Sequence, residues 1–228
     1  MSGRDRATRR LRAKYKKLIG ELRYLYTDLE YYKEEHQYRK EDFHEDFASW
    51  CEEMGYDCTR PETRQKYEEK QIDPYSQKVN KKELQEIQKE VYNDDSDESE
   101  DPDDAYKDLK SLYKKIAVET HPDKLTRAEK AARERKERLF IEAKKAYDEN
   151  NFFRLSQIAE ELGLDLPPPS KQQLVWMREE KKKIEKIIAS ISTTYEWVCG
   201  EENPLMPKDV MYQKYADAIG CVKLKKEG

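Results

Sequence analysis

Glycine is scarce, with seven in 228 residues, and no stretch alternates β-branched and polar residues over the length of a strand. Sheets draw on both, for their turns and for their half-buried faces. Long apolar runs are missing too. None approaches the roughly 20 residues that cross a bilayer, and Met1-Ser2-Gly3-Arg4 opens no secretory leader. Only three histidines are available as bases, and GxxxxGK[ST], HExxH and GxSxG are all absent. Acidic pairs such as Glu45 and Asp46 fall on ordinary charged helix faces. The chain is therefore expected not to be an enzyme and to need no cofactor or metal. The four cysteines, Cys51, Cys58, Cys199 and Cys221, form no CxxC pair and read as reduced thiols of a cytoplasmic, or nuclear, protein with no membrane partner. A zinc site from Cys51, Cys58 and either His36 or His44 is disfavoured, because six residues separate the two cysteines and no second cluster accompanies them.

What the chain has in abundance is charge: 41% of residues are Asp, Glu, Lys or Arg, against 36% apolar. That balance does not fill one large core, but it suits helices that each bury a single stripe. The net charge of −4 hides segregation. Arg4 to Arg23 and Lys124 to Lys145 are basic, whereas Asn93 to Asp104 carries eight acids and no base. The basic helix start has no interleaved aromatics, so nucleic acid is not expected as a partner. The acidic stretch is low-complexity and expected to be disordered. Ser96 and Ser99 sit inside it as candidate phosphorylation sites, and Asp103 and Asp104 follow as cap and dipole partners of the next helix.

From Leu11 the apolar positions step by four and three through Tyr15, Leu18, Leu22, Leu25, Leu29 and Tyr32. This is a heptad seam of about three repeats. It slips by a stutter to Phe47, Trp50 and Met54 before Gly55, a plausible C-cap. Two readings follow: a helix packed on the protein's own C-terminal helices, or a coiled coil that forms a homodimer through residues 11–54.

The most informative stretch is Leu109 to Tyr147. Leu109, Leu112, Tyr113, Ile116 and Ala117 fall on one helical stripe, with Lys107, Lys110, Lys114 and Lys115 on other faces. Pro122 ends that helix. Thr126 and Glu129 have the spacing of a capping box that restarts it. Ala132, Leu139, Phe140, Ala143, Ala146 and Tyr147 are the inward candidates of the second helix. His121-Pro122-Asp123 thus lies at the tip of a helical hairpin. The combination of Tyr113-Lys114-Lys115-Ile116-Ala117, His121-Pro122-Asp123-Lys124, Phe140 and Ala146-Tyr147 resembles a J domain, the DnaJ-like module that activates DnaK-class heat-shock chaperones. The resemblance implies that Asp123 engages an arginine of the chaperone while His121 and Pro122 shape the loop. Lys110, Lys114, Lys115 and Lys124 would face an acidic partner surface. It further implies Leu109, Leu112, Tyr113, Ile116, Ala117, Phe140, Ala143 and Tyr147 as the core. Where the family places its first short helix, the acidic tract stands instead, and Lys81 to Tyr92 is expected to take that helix's place, with Leu84, Ile87 and Val91 buried on the hairpin. Glu119 and Thr120 replace a more usual basic–aromatic pair.

Beyond the hairpin, Phe152, Leu155, Ile158, Ala159 and Leu162 mark a short helix closed by Gly163, and Pro167-Pro168-Pro169 a stiff spacer. Ser170 and Gln173 cap a helix of about thirty residues expected to reach Cys199, and a last helix starts at Pro207 with Met211, Tyr215, Ala218 and Ile219 inward. The fold class is accordingly all-α: a J-domain hairpin flanked by a long N-terminal helix and a C-terminal helical hairpin. The expected segments are 1–58, the polar linker 59–80, the J-like domain 81–166 and the C-terminal hairpin 167–228. Glycine/phenylalanine-rich and zinc-binding client regions of the family are absent. The expected function is that of a specialised co-chaperone, partnered by a DnaK-class chaperone and an unknown client. The alternative is a helical assembly protein that uses the hairpin only for packing.

Overall fold

The computed structural model describes residues 3–58, 73–92, 102–121, 130–202, 204 and 206–224. Helix accounts for 79% of the described residues, and the strands among them form one antiparallel pair, two residues each. The all-α class expected from composition is what the chain adopts. In order, the elements are α1 (Gly3–Met54), β1 (Tyr56–Asp57), α2 (Lys81–Tyr92), α3 (Pro102–Thr120), α4 (Lys130–Asp148), α5 (Phe152–Glu161), α6 (Lys171–Ile191), α7 (Tyr195–Cys199), α8 (Lys208–Ile219) and β2 (Val222–Lys223). They sort into two compact units that are not consecutive in sequence: Met1–Leu25 with Val79–Lys182, and Tyr26–Lys78 with Lys183–Gly228. Helices α1 and α6 each contribute to both.

In the first unit α5 is the hub. Phe152, Phe153, Leu155, Ser156, Ile158 and Ala159 are all buried, a wider covered face than its apolar stripe alone announced, with Glu160 and Glu161 left exposed. Asn150 turns the chain with a positive φ of 53°, a conformation asparagine tolerates. Asn151 then caps α5 by accepting a hydrogen bond from the Arg154 amide. From α1, Leu18 and Leu22 are buried, Tyr15 meets Phe152 edge-on at 6.3 Å, and Arg23 pairs with Glu160 at 2.7 Å. Leu18 and Leu22 of the heptad seam are thus covered within this unit.

Helix α2 opens with a capping box that sequence reading missed: the Asn80 amide donates to Glu83 Oε2 at 2.8 Å and the Glu83 amide to Asn80 Oδ1 at 3.0 Å. Ile87 and Val91 are buried and Leu84 half-buried. Three polar contacts join α2 to α6. Tyr92 donates to Gln172, Glu90 pairs with Arg178, and Glu83 lies 3.9 Å from Lys182. At the start of α6 the expected Ser170–Gln173 box is present, with both reciprocal bonds at 3.2 Å. The expectation of an unbroken helix to Cys199 fails. The hydroxyls of Ser192, Thr193 and Thr194 turn back onto the carbonyls of Ile188, Ser190 and Ile191, competing with the helical ladder. Thr194 then caps the separate helix α7.

The second unit is an aromatic core. Phe43, Phe47, Trp50 and Cys51 of α1 cluster with Met211, Tyr212, Tyr215 and Ala216 of α8 and with Cys199. Tyr215 sits edge-on to both Phe43 and Phe47 at 4.9 Å, a favoured aromatic geometry. Two expectations for α8 are corrected. Ala218 is exposed while Tyr212 and Ala216 are buried, because the face turned to the phenylalanines runs through the adjacent pairs 211–212 and 215–216. Pro207 is the N-cap rather than the first helical residue.

The reading of four reduced thiols is also corrected. Strands β1 and β2 pair Tyr56 with Lys223 and Asp57 with Val222. Continuing that register sets Cys58 opposite Cys221, their Cα atoms 4.5 Å apart and their sulfurs joined in a disulfide. Cysteines 163 positions apart in sequence give no spacing signal of the CxxC kind. Cys51 and Cys199 are free and buried. His36 makes its recorded hydrogen bond to the Tyr75 hydroxyl, 2.7 Å from Nδ1, not to a cysteine.

Candidate interaction site at the α3–α4 hairpin

Helix α3 begins with Pro102, Asp103 and Asp104 in its first turn, where a fixed φ and negative charge both suit a helix N-terminus. Its buried stripe is Ala105, Leu109, Leu112, Ile116 and Thr120, spaced as one face of an α-helix. Fully burying each of the three large aliphatics contributes about 2 kcal/mol. Thr120 is a polar residue in an apolar row, and its hydroxyl is satisfied by donating to the Ile116 carbonyl at 2.8 Å.

Helix α4 answers with Leu139, Ala143 and Ala146. Two ring pairs give the relative direction of the helices. Tyr113 stacks on Tyr147 at 4.6 Å and 14°, and His121 meets Phe140 edge-on at 5.5 Å and 79°. Contacts that advance on one helix while receding on the other mark an antiparallel pair. Of the core residues named from the sequence, Leu109, Leu112, Ile116 and Ala143 are buried. Tyr113, Ala117, Phe140 and Tyr147 are half-buried and form the rim. Ala132, expected to face inward, is exposed, since it lies in the first turn of the described helix, before its first buried residue at Leu139.

The far end of α3 carries the site. The His121 amide still donates to the Ala117 carbonyl at 2.9 Å, so the helical ladder extends one residue past Thr120, and Phe140 braces the exposed ring. Pro122, Asp123, Lys124 and the Thr126–Glu129 box lie outside the described residues. Lys107, Lys110, Lys114 and Lys115 are exposed. Lys107 is tied to Asp104 at 2.7 Å, whereas Lys110, Lys114 and Lys115 make no ion pair among the described residues. On α4, Arg133 pairs with Glu137, Arg135 with Glu161 and Lys130 with Glu134, whereas Lys136, Arg138, Lys144 and Lys145 make no ion pair among the described residues. Sequence periodicity placed the lysines of α3 on the surface but could not reveal this difference in pairing.

No family model, no curated protein and no solved structure matches the chain. The site must be read from its own chemistry. It presents a cationic helix face that leads to a braced histidine, a surface suited to an acidic protein partner.

Proposed function

We propose that the chain is a J-type co-chaperone that stimulates ATP hydrolysis by a DnaK-class chaperone, and that its other helices select a client. The observation that carries this reading is the run of Lys110, Lys114 and Lys115, exposed and without an ion pair among the described residues, ending at exposed, ring-braced His121, directly before Pro122-Asp123 in the sequence. Hydrolysis itself belongs to the chaperone. The hairpin acts by binding one conformation of its partner better than the other, which is the only way a ligand shifts such an equilibrium. The lysines contribute chiefly to the rate of encounter, and therefore to salt sensitivity.

The test is single-turnover ATP hydrolysis by a cytosolic DnaK-class chaperone with wild type, Asp123→Asn and the double variant Lys114→Glu/Lys115→Glu. Stimulation is expected with wild type and lost with Asp123→Asn. The double variant is expected to need roughly tenfold more protein for the same stimulation at low salt. A folded Asp123→Asn protein that stimulates as well as wild type would sink the reading and leave the hairpin as a packing module of an assembly protein.

A further inference from the structure

The second unit brings three sulfurs together. Cys51, in the last turn of α1, lies with its Sγ 3.6 Å from Cys58 Sγ, and Cys58 is already bonded to Cys221. We propose that these residues form a thiol–disulfide exchange site in which Cys51 attacks Cys58 and releases Cys221. The thiolate of Cys51 forms a bond to Cys58 Sγ, the Cys58–Cys221 bond breaks, and the electron pair leaves with Cys221, which takes up the proton that Cys51 gave up. One disulfide and one thiol stand on each side, so no oxidant or reductant is consumed.

Placement of the three side chains decides the direction. Cys58 is the sulfur in contact with both others, so it is the electrophile. Cys51 is buried, while Cys58 and Cys221 are half-buried, so the exchange turns a hidden thiol into one nearer the surface. Burial also pushes the Cys51 thiol up from its ordinary value. Attacking thiolate is therefore scarce at rest, and the resting pairing persists. After exchange the closed loop spans 7 positions instead of 163. The covalent tie between the end of α1 and the segment after α8 is gone, and the short β1–β2 ladder and the packing of the aromatic core remain. Cys199 plays no part: it is buried beside the Tyr212 hydroxyl and serves as an internal control.

The experiment uses the full chain, purified without reductant and incubated with iodoacetamide under native conditions. Tryptic peptides are then mapped without reduction. Cys51 and Cys58 share the peptide 41–64, and Cys221 lies on 215–223. In wild type, the cross-linked pair of peptides is expected to decline with time. It should be replaced by alkylated 215–223 and by 41–64 carrying an internal disulfide. Alkylation removes Cys221 irreversibly, so even a sparse exchanged form accumulates. Cys51→Ser and Cys51→Ala are both expected to keep the cross-linked pair intact, and Cys199→Ser to behave as wild type. Three results would overturn the proposal: a cross-linked pair that never declines in wild type, alkylation of Cys221 at the wild-type rate in both Cys51 variants, or a protein whose four cysteines are all thiols or hold zinc as purified.

Discussion

Cutting the bond between Cys58 and Cys221 tests the architecture of the second unit most directly. The bond closes a loop with a sequence separation of 163, for which loop-closure entropy corresponds to about 5 kcal/mol. Much of that loop is the stretch Val79–Lys182 of the other unit. If this stretch stays folded while the second unit opens, the flexible loop shrinks to about 60 residues, yet the contribution falls only to about 4 kcal/mol because the dependence is logarithmic. Set against a typical total of about 5–15 kcal/mol, a loss of that size leaves little margin. Cys221→Ser is best compared with the parent in a Cys51→Ser background, where no exchange can restore a bond. Urea unfolding is followed by tryptophan fluorescence, since Trp50 and Trp197 are both buried in this unit. With an m-value near 2 kcal/mol/M, the midpoint is expected to fall by about 2 M. Dithiothreitol should bring the parent to the same midpoint and leave the variant unmoved. Identical midpoints for parent and variant without reductant would refute the entropic argument and the clamp together.

Within the hairpin, Ile116→Ala removes a side chain with no exposed area and should cost about 3 kcal/mol, whereas Lys114→Ala on the same helix should change stability by less than about 0.5 kcal/mol; thermal melts by circular dichroism distinguish the two. The Tyr15 hydroxyl is buried and makes no hydrogen bond among the described residues, so Tyr15→Phe is expected to stabilise by roughly 1 kcal/mol, read as a higher urea midpoint. Burial, with the Glu160 charge adding to it, also pushes Tyr15 up to about 12. The neutral phenol is the form the fold favours. Its stabilising effect is full below the ordinary tyrosine value near 10 and is lost as pH rises toward about 12, and Tyr15→Phe should lose less stability over that range. Thr194→Ala removes the cap of α7 and should cost about 1 kcal/mol in the same assay.

The parts of the fold legible in the sequence were those set by local physics. The stripe Leu109–Leu112–Ile116, the Ser170–Gln173 box and the closure of α5 at Gly163 all follow from spacing or capping chemistry within a few residues, and the structure has them. What could not be read depends on neighbours far along the chain. Phe153 and Ser156 look like the outer face of α5 until other elements close over them. Tyr212 and Ala216 are core because Phe43 and Phe47 lie across from them. The Cys58–Cys221 pair exists because two short strands fall into register. In the candidate site, exposure of Lys110, Lys114 and Lys115 was predictable from helical geometry. The distinction between paired and unpaired cations was not, because Glu161, for example, reaches Arg135 from another helix.

The interleaving of the two units also bears on how the protein comes to be made. Phe43, Phe47 and Trp50 lie early in the chain, and their partners Met211, Tyr212 and Tyr215 lie near its end. At ordinary rates of synthesis the ribosome needs on the order of ten seconds to travel from one group to the other. Meanwhile the residues of the first unit emerge and can close on the beginning of α1. The rest of α1 then waits as a helix with an uncovered aromatic face, beside a cysteine whose eventual mate has not yet been translated. Such a face invites aggregation, and the newborn chain is itself a candidate client for a chaperone.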